Sequence, residues 1–165
     1  MVRVGGCAMV VVGWLLGSPA AWANHFTIDV KVQAGKEGKT AHAETAGFGV
    51  KTKARGIIEL KKGQRVTVKW VLQSAAARGK VEDVLVHFFV VQEEKAGQRA
   101  VPKLTQDVTV ETALTMDFKP KDKAESELSF QIDKPGVYLL RLETIGAAKG
   151  EDAHEHFAAL DLVVR

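Results

Sequence analysis

The stretch Ala124-Glu-Ser-Glu-Leu-Ser-Phe-Gln-Ile132, Asp133-Lys-Pro-Gly136, Val137-Tyr-Leu-Leu-Arg-Leu-Glu-Thr-Ile145 decides the fold class. Leu128, Phe130 and Ile132 recur at period two, the spacing of a half-buried strand. Asp133 to Gly136 is a turn with a mechanism, because proline presets φ and glycine tolerates positive φ. Beyond it, Tyr138, Leu140 and Leu142 share one face, with Arg141 and Glu143 on the other.

The same grammar extends in both directions. Downstream, His154 to Val164 predicts a last strand with Leu160, Leu162 and Val164 on its core face. Upstream, Val84 to Val91 is apolar on both faces: Val84, Val86, Phe88 and Val90 on one, Leu85, Phe89 and Val91 with His87 on the other. A strand of that kind is expected to be central and covered on both sides. The irregular segment 43–60, folded back over it, is the expected cover, with a partner protein or a second copy as the alternative. Phe26 to Val32 alternates, Gly56 to Leu60 is a short apolar run, and Arg65 to Gln73 puts Val66, Val68, Trp70 and Leu72 on one face. Residues 106–113 and 114–118 are β-prone on either side of an expected bend, and 119–123 reads as a solvated turn. No segment sustains a 3.6-residue apolar period and no repeat stands out. Seven to nine strands without helices to cover a parallel sheet predict an all-β, antiparallel two-sheet sandwich.

Asp133-Lys-Pro-Gly-Val-Tyr138 and the strand Leu139 to Glu143 resemble the penultimate strand of bacterial secreted immunoglobulin-like or fibronectin-like domains. The resemblance implies an immunoglobulin-like sandwich in which the tyrosine hydroxyl caps nearby backbone. The cysteine pair of antibody-type domains is absent, and Trp70 lies one strand before the position expected of the buried tryptophan. This resemblance implies no activity, since one fold hosts many functions.

Residues 1–23 read as a signal peptide. Arg3 supplies the positive start, Val4 to Leu16 is almost continuously apolar, Gly17-Ser-Pro19 breaks it, and Ala21-Trp-Ala23 is a cleavage site of small residues. Residues 24–165 are then a single exported domain, secreted or periplasmic, with no membrane span after cleavage. The other reading of the charge-free run 4–22 is a retained anchor. Cys7 is the chain's one cysteine and would leave with the leader, which excludes disulfides, thiolate nucleophiles and cysteine-ligated metal centres in the mature domain. The 165 residues carry 23 Lys plus Arg against 20 Asp plus Glu. That near balance, with the lysines scattered through turns, argues against a nucleic-acid partner.

Candidate chemistry is sparse. His154 and His156 flank Glu155, and at strand spacing i and i+2 lie on one side, about 6.5–7 Å apart. With His87 from the central strand as a third ligand they could hold Cu²⁺ or Zn²⁺, the ions imidazole suits where no thiolate is present. The competing reading leaves the pair in water at a loop–strand junction and His87 packed with one hydrogen bond. Asn24-His25, at the new N-terminus, could chelate Cu²⁺. Acidic pairs such as Glu82-Asp83 and Glu93-Glu94 sit in turns, not opposed across a cleft as glycosidase chemistry requires. No nucleophile elbow, zincin motif, P-loop or dinucleotide fingerprint occurs. The sequence therefore points to a non-enzymatic domain that binds a protein or small ligand in the cell envelope, through end loops 74–83 and 146–153. A histidine-based copper or zinc protein is the alternative.

Overall fold

A computed structural model describes residues 26–35, 40–44, 55–76, 79–98, 108–146 and 155–165. The expected signal peptide 1–23, Asn24, His25 and His154 lie outside these. The described chain is all-β, with no helix. Its strands are β1 (Phe26–Ala34), β2 (Thr40–Glu44), β3 (Gly56–Leu60), β4 (Arg65–Ser74), β5 (Val81–Glu93), β6 (Val108–Phe118), β7 (Lys123–Gln131), β8 (Gly136–Ile145) and β9 (Glu155–Val164). They form a four-stranded sheet, β2-β1-β4-β7, and a five-stranded sheet, β3-β9-β8-β5-β6.

The core follows directly from the alternation. β1 is buried at every second residue from Phe26 to Ala34. It pairs with β4 in a register that sets Val30 beside Trp70 and Val32 beside Val68. On the other sheet Val84, Val86, Phe88 and Val90 face inward with Leu140, Leu142, Leu160 and Leu162. These side chains are essentially inaccessible. Their removal from water is the main favourable term in folding.

Three local features differ from the sequence expectation. The sandwich is not wholly antiparallel, because β3 pairs with β9 in parallel. The reason is connectivity: β3 must finish where the Lys61–Gln64 turn feeds β4, which is the end where β9 also finishes. Gly63 in that turn has φ +70, and its N–H donates to Ile132 O, so the turn is anchored to the end of β7. Second, β6 is one strand, with unbroken register to β5 from Val110 to Met116 and shifts only beyond those residues. Third, the 56–60 part of the expected cover is an edge strand. The outer face of β5 is nonetheless buried, with Phe89, Val91 and Leu139 forming a small apolar cluster packed by Val108 and Ala159. Arg55 reaches onto this face, and the Gly97 N–H donates to Asp161 Oδ2 at 2.8 Å. The connection after β5 therefore folds back across the sheet as far as β9.

Candidate functional site

Register decides where each predicted ligand goes. His87 pairs across the sheet with Glu143, which pairs with Phe157; Val86 pairs with Thr144, which pairs with His156. Adjacent rows of a sheet point to opposite faces. His156 therefore faces the interior, with its ring 6.2 Å from that of Phe26. His87 faces outward beside Phe89. The structure does not bring these two imidazoles to one ion. Among the described residues no group of three or more His, Cys, Asp or Glu side chains is arranged to hold a metal.

On the outer face His87 uses both ring nitrogens within its own sheet. Nδ1 lies 3.0 Å from Glu143 Oε1 on β8, and Nε2 lies 2.9 Å from Glu111 Oε1 on β6. A ring carrying both protons donates to both carboxylates at once, tying β5 to both neighbours. Arg141 Nε donates to Glu143 Oε2 at 2.6 Å, and its guanidinium sits 4.0 Å over the Phe157 ring. Burial pulls the Arg141 guanidinium down from its ordinary value, against the charge and hydrogen bond of Glu143, which push it back up.

A second ionic group sits nearer the far end of the same face. Arg55 donates from Nη1 and Nη2 to both oxygens of Glu93, each at 2.9 Å, and its Nε lies 3.0 Å from Asp161 Oδ1. Both acids are almost inaccessible. Burial pushes the Glu93 carboxyl above the usual carboxylate range, opposed by Arg55. Burial likewise raises Asp161, opposed by the Gly97 N–H and Arg55. Two buried acids sharing one guanidinium fix the position of Arg55 and the connection that Gly97 belongs to. Sequence reading assigned Glu93 to a charged turn and missed Arg55 and Asp161. The available signal was an acid between Leu160 and Leu162, on a strand whose outward row also holds Ala159 and Val163.

The end of the sandwich at which β1 begins and β4 finishes has a different chemistry. The β4–β5, β6–β7 and β8–β9 connections all leave from it, as the pairings Phe26 with Ser74, Val81 with Phe118, and Ile145 with Glu155 require. The described ends of both expected binding loops are therefore at one end; 77–78 and 147–153 lie outside the described residues. The connections are tied together: the Ser74 N–H donates to Asp122 O, and Lys80 Nζ lies 2.8 Å from Asp117 Oδ2 and 3.2 Å from Glu82 Oε1. The Asp83 N–H donates to Asp117 Oδ1 at 3.0 Å, and Asp83 holds a left-handed φ of 53. The hydrogen bond from Lys80, then that from the Asp83 backbone, holds the Asp117 carboxyl below its ordinary value.

Beneath these connections three polar residues face the interior: Ser74 on β4, Thr144 on β8 and His156 on β9, each at most 2% exposed. Phe26 and Phe118 pack edge to face beside them, ring centroids 5.0 Å apart. Among the described residues Ser74 Oγ and Thr144 Oγ1 have no hydrogen-bond partner. Buried hydroxyls left unbonded are rare in native proteins. Sequence reading placed Ser74 in a loop and gave Thr144 no role. Only the meeting of the two sheets puts them in one region.

No family model matches the chain, and no curated protein matches it. Among solved structures, the chain is similar to one titled "Crystal structure of the C-terminal domain of wzt", with a TM-score of 0.45 and 12% identity, over 86% of this chain and 74% of that one.

Proposed function

We propose that this chain is an exported, non-enzymatic binding domain built on an immunoglobulin-like sandwich, which takes its ligand at the end formed by the β4–β5, β6–β7 and β8–β9 connections. The observation that carries the reading is the pair of buried hydroxyls below those connections, Ser74 Oγ and Thr144 Oγ1, which have no partner among the described residues. A domain selected for stability alone has no use for them, whereas a binding site keeps polar groups that a ligand satisfies. The immunoglobulin-like assignment draws support from two facing sheets and from the Tyr138 hydroxyl, which donates to Lys134 O at 2.7 Å, the backbone cap that the resemblance implies. Export draws its support from the leader-like residues 1–23.

Amide hydrogen exchange with and without a soluble cell-envelope extract tests the site. Protection concentrated in 74–83, 119–122 and 144–156 is the expected result. Protection confined to other segments, or none, overturns the placement. The copper or zinc reading now rests on His154 and His156, because His87 faces the other way and bonds two carboxylates. Thermal unfolding with added Cu²⁺ or Zn²⁺ separates the two. A rise in Tm that disappears in His156→Ala favours the metal protein and defeats the binding-domain reading.

A further inference from the structure

An edge strand exposes a row of backbone donors and acceptors, and proteins usually blunt such edges by shortness, charge, proline or a bulge. Three of the four edges here follow that practice. β2 and β3 are five residues each, and β7 carries Lys123, Glu125 and Glu127 as exposed charges. β6 does not. It runs eleven residues, contains no Lys, Arg or Pro, and keeps an unbroken register from Val110 to Met116. Residues 111–115 are all exposed, including Leu114 at 40% on the face that also carries Phe118. Its two acids are engaged by its own sheet: Glu111 by His87, and Asp117 by Lys80 and the Asp83 N–H. With these partners they obstruct an incoming strand only in a register that sets acid against acid. Among the described residues nothing pairs with the outer edge of β6.

We propose that β6 is a self-association edge: two copies of this chain pair their β6 strands antiparallel about a two-fold axis at Ala113, making one sheet continuous across the dimer. Ala113 is the midpoint of β6 and of its regular segment, so this register pairs Val110 to Met116 end to end. It sets Glu111 opposite Thr115, Thr109 opposite Asp117 and Val110 opposite Met116, and no acid faces an acid. Moving the axis to Glu111 opposes that carboxylate with its own copy, and moving it to Leu114 opposes Glu111 with Asp117. Like charges directly opposite are destabilising in an antiparallel pair, so charge selects Ala113 over both. A two-fold contact of this kind closes on itself and leaves no edge for further growth at β6.

The test is sedimentation equilibrium of the purified chain, together with cysteine cross-linking in a Cys7→Ser background. A concentration-dependent dimer is expected. Ala113→Lys, which opposes two ammonium groups at the axis, should be monomeric at concentrations where the parent is dimeric, with unchanged circular dichroism. Ala113→Cys should form an intermolecular disulfide under mild oxidation, because opposed Cα atoms lie about 4.5–5.5 Å apart, within disulfide span. Thr109→Cys should not, because that residue and its own copy are separated by eight positions, about 27 Å along the strand. A chain monomeric throughout, including one whose β6 instead takes a strand from a different protein, overturns the proposal. So does a dimer cross-linked by Thr109→Cys and not by Ala113→Cys.

Discussion

Thr144→Val is the substitution in which stability and binding should move in opposite directions. Thr144 is 1% exposed, faces the interior, and its Oγ1 has no partner among the described residues. It is flanked in register by Val86 and His156 on a strand that is not at an edge. Valine keeps the branched shape, suits a strand, and removes one buried hydroxyl. Leaving such a group unbonded costs about 1–3 kcal/mol. The variant should therefore be more stable by about that amount, where most buried substitutions destabilise. In a chain of this size each kcal/mol raises Tm by about 2–4 °C. Urea unfolding followed by far-ultraviolet circular dichroism gives the difference, with the m-value as the check that the unfolded state is unchanged. If the variant instead loses more than about 1 kcal/mol, the hydroxyl is bonded in solution. The inference that this end is kept polar for a ligand then fails.

Other outcomes follow from the same structure. Ser74→Ala should be neutral or stabilising for the reason given for Thr144, measured in the same urea series. Arg55→Ala leaves Glu93 and Asp161 buried without their cation and should cost about 3–5 kcal/mol; a loss under about 1 kcal/mol would mean that the two acids are solvated. Because burial raises the Glu93 and Asp161 carboxyls in the folded chain, the native state holds their protons more tightly than the unfolded chain does. Their contribution to stability is thus fully present below the ordinary carboxylate range, about pH 4, and is lost as pH rises through the raised folded values. Unfolding midpoints across the acid range should show a shallower fall with pH in Asp161→Asn than in the parent. Tyr138→Phe removes the bond to Lys134 O and should cost about 1 kcal/mol by thermal unfolding.

Much of the fold was legible because period-two alternation is a local property. Val66, Val68, Trp70 and Leu72 share a buried face in the sequence and in the sandwich, and so do Tyr138, Leu140 and Leu142. The doubly apolar character of Val84 to Val91 correctly signalled a strand covered on both faces. The predicted break between residues 113 and 114 was not found, since β-branched residues and pairing to β5 carry β6 straight through. Of the histidine cluster, residue types and spacing were legible, but not the relation between the faces of the two strands. His87 and His156 lie on different strands, and only their register against β8 places them on opposite sides of the sheet.

What the chain determines locally is which residues extend, which turn, and which side of each strand avoids water, because those depend on side-chain chemistry and backbone sterics alone. What the tertiary structure decides is every relation between distant strands. Arg55 meets Glu93 and Asp161 only because β3 lies beside β9 and the connection after β5 crosses back over the sheet. Ser74 and Thr144 come to one end of the interior only because two sheets face each other. The free energy that fixes such relations is released when the separate strands pack, so no single segment encodes it.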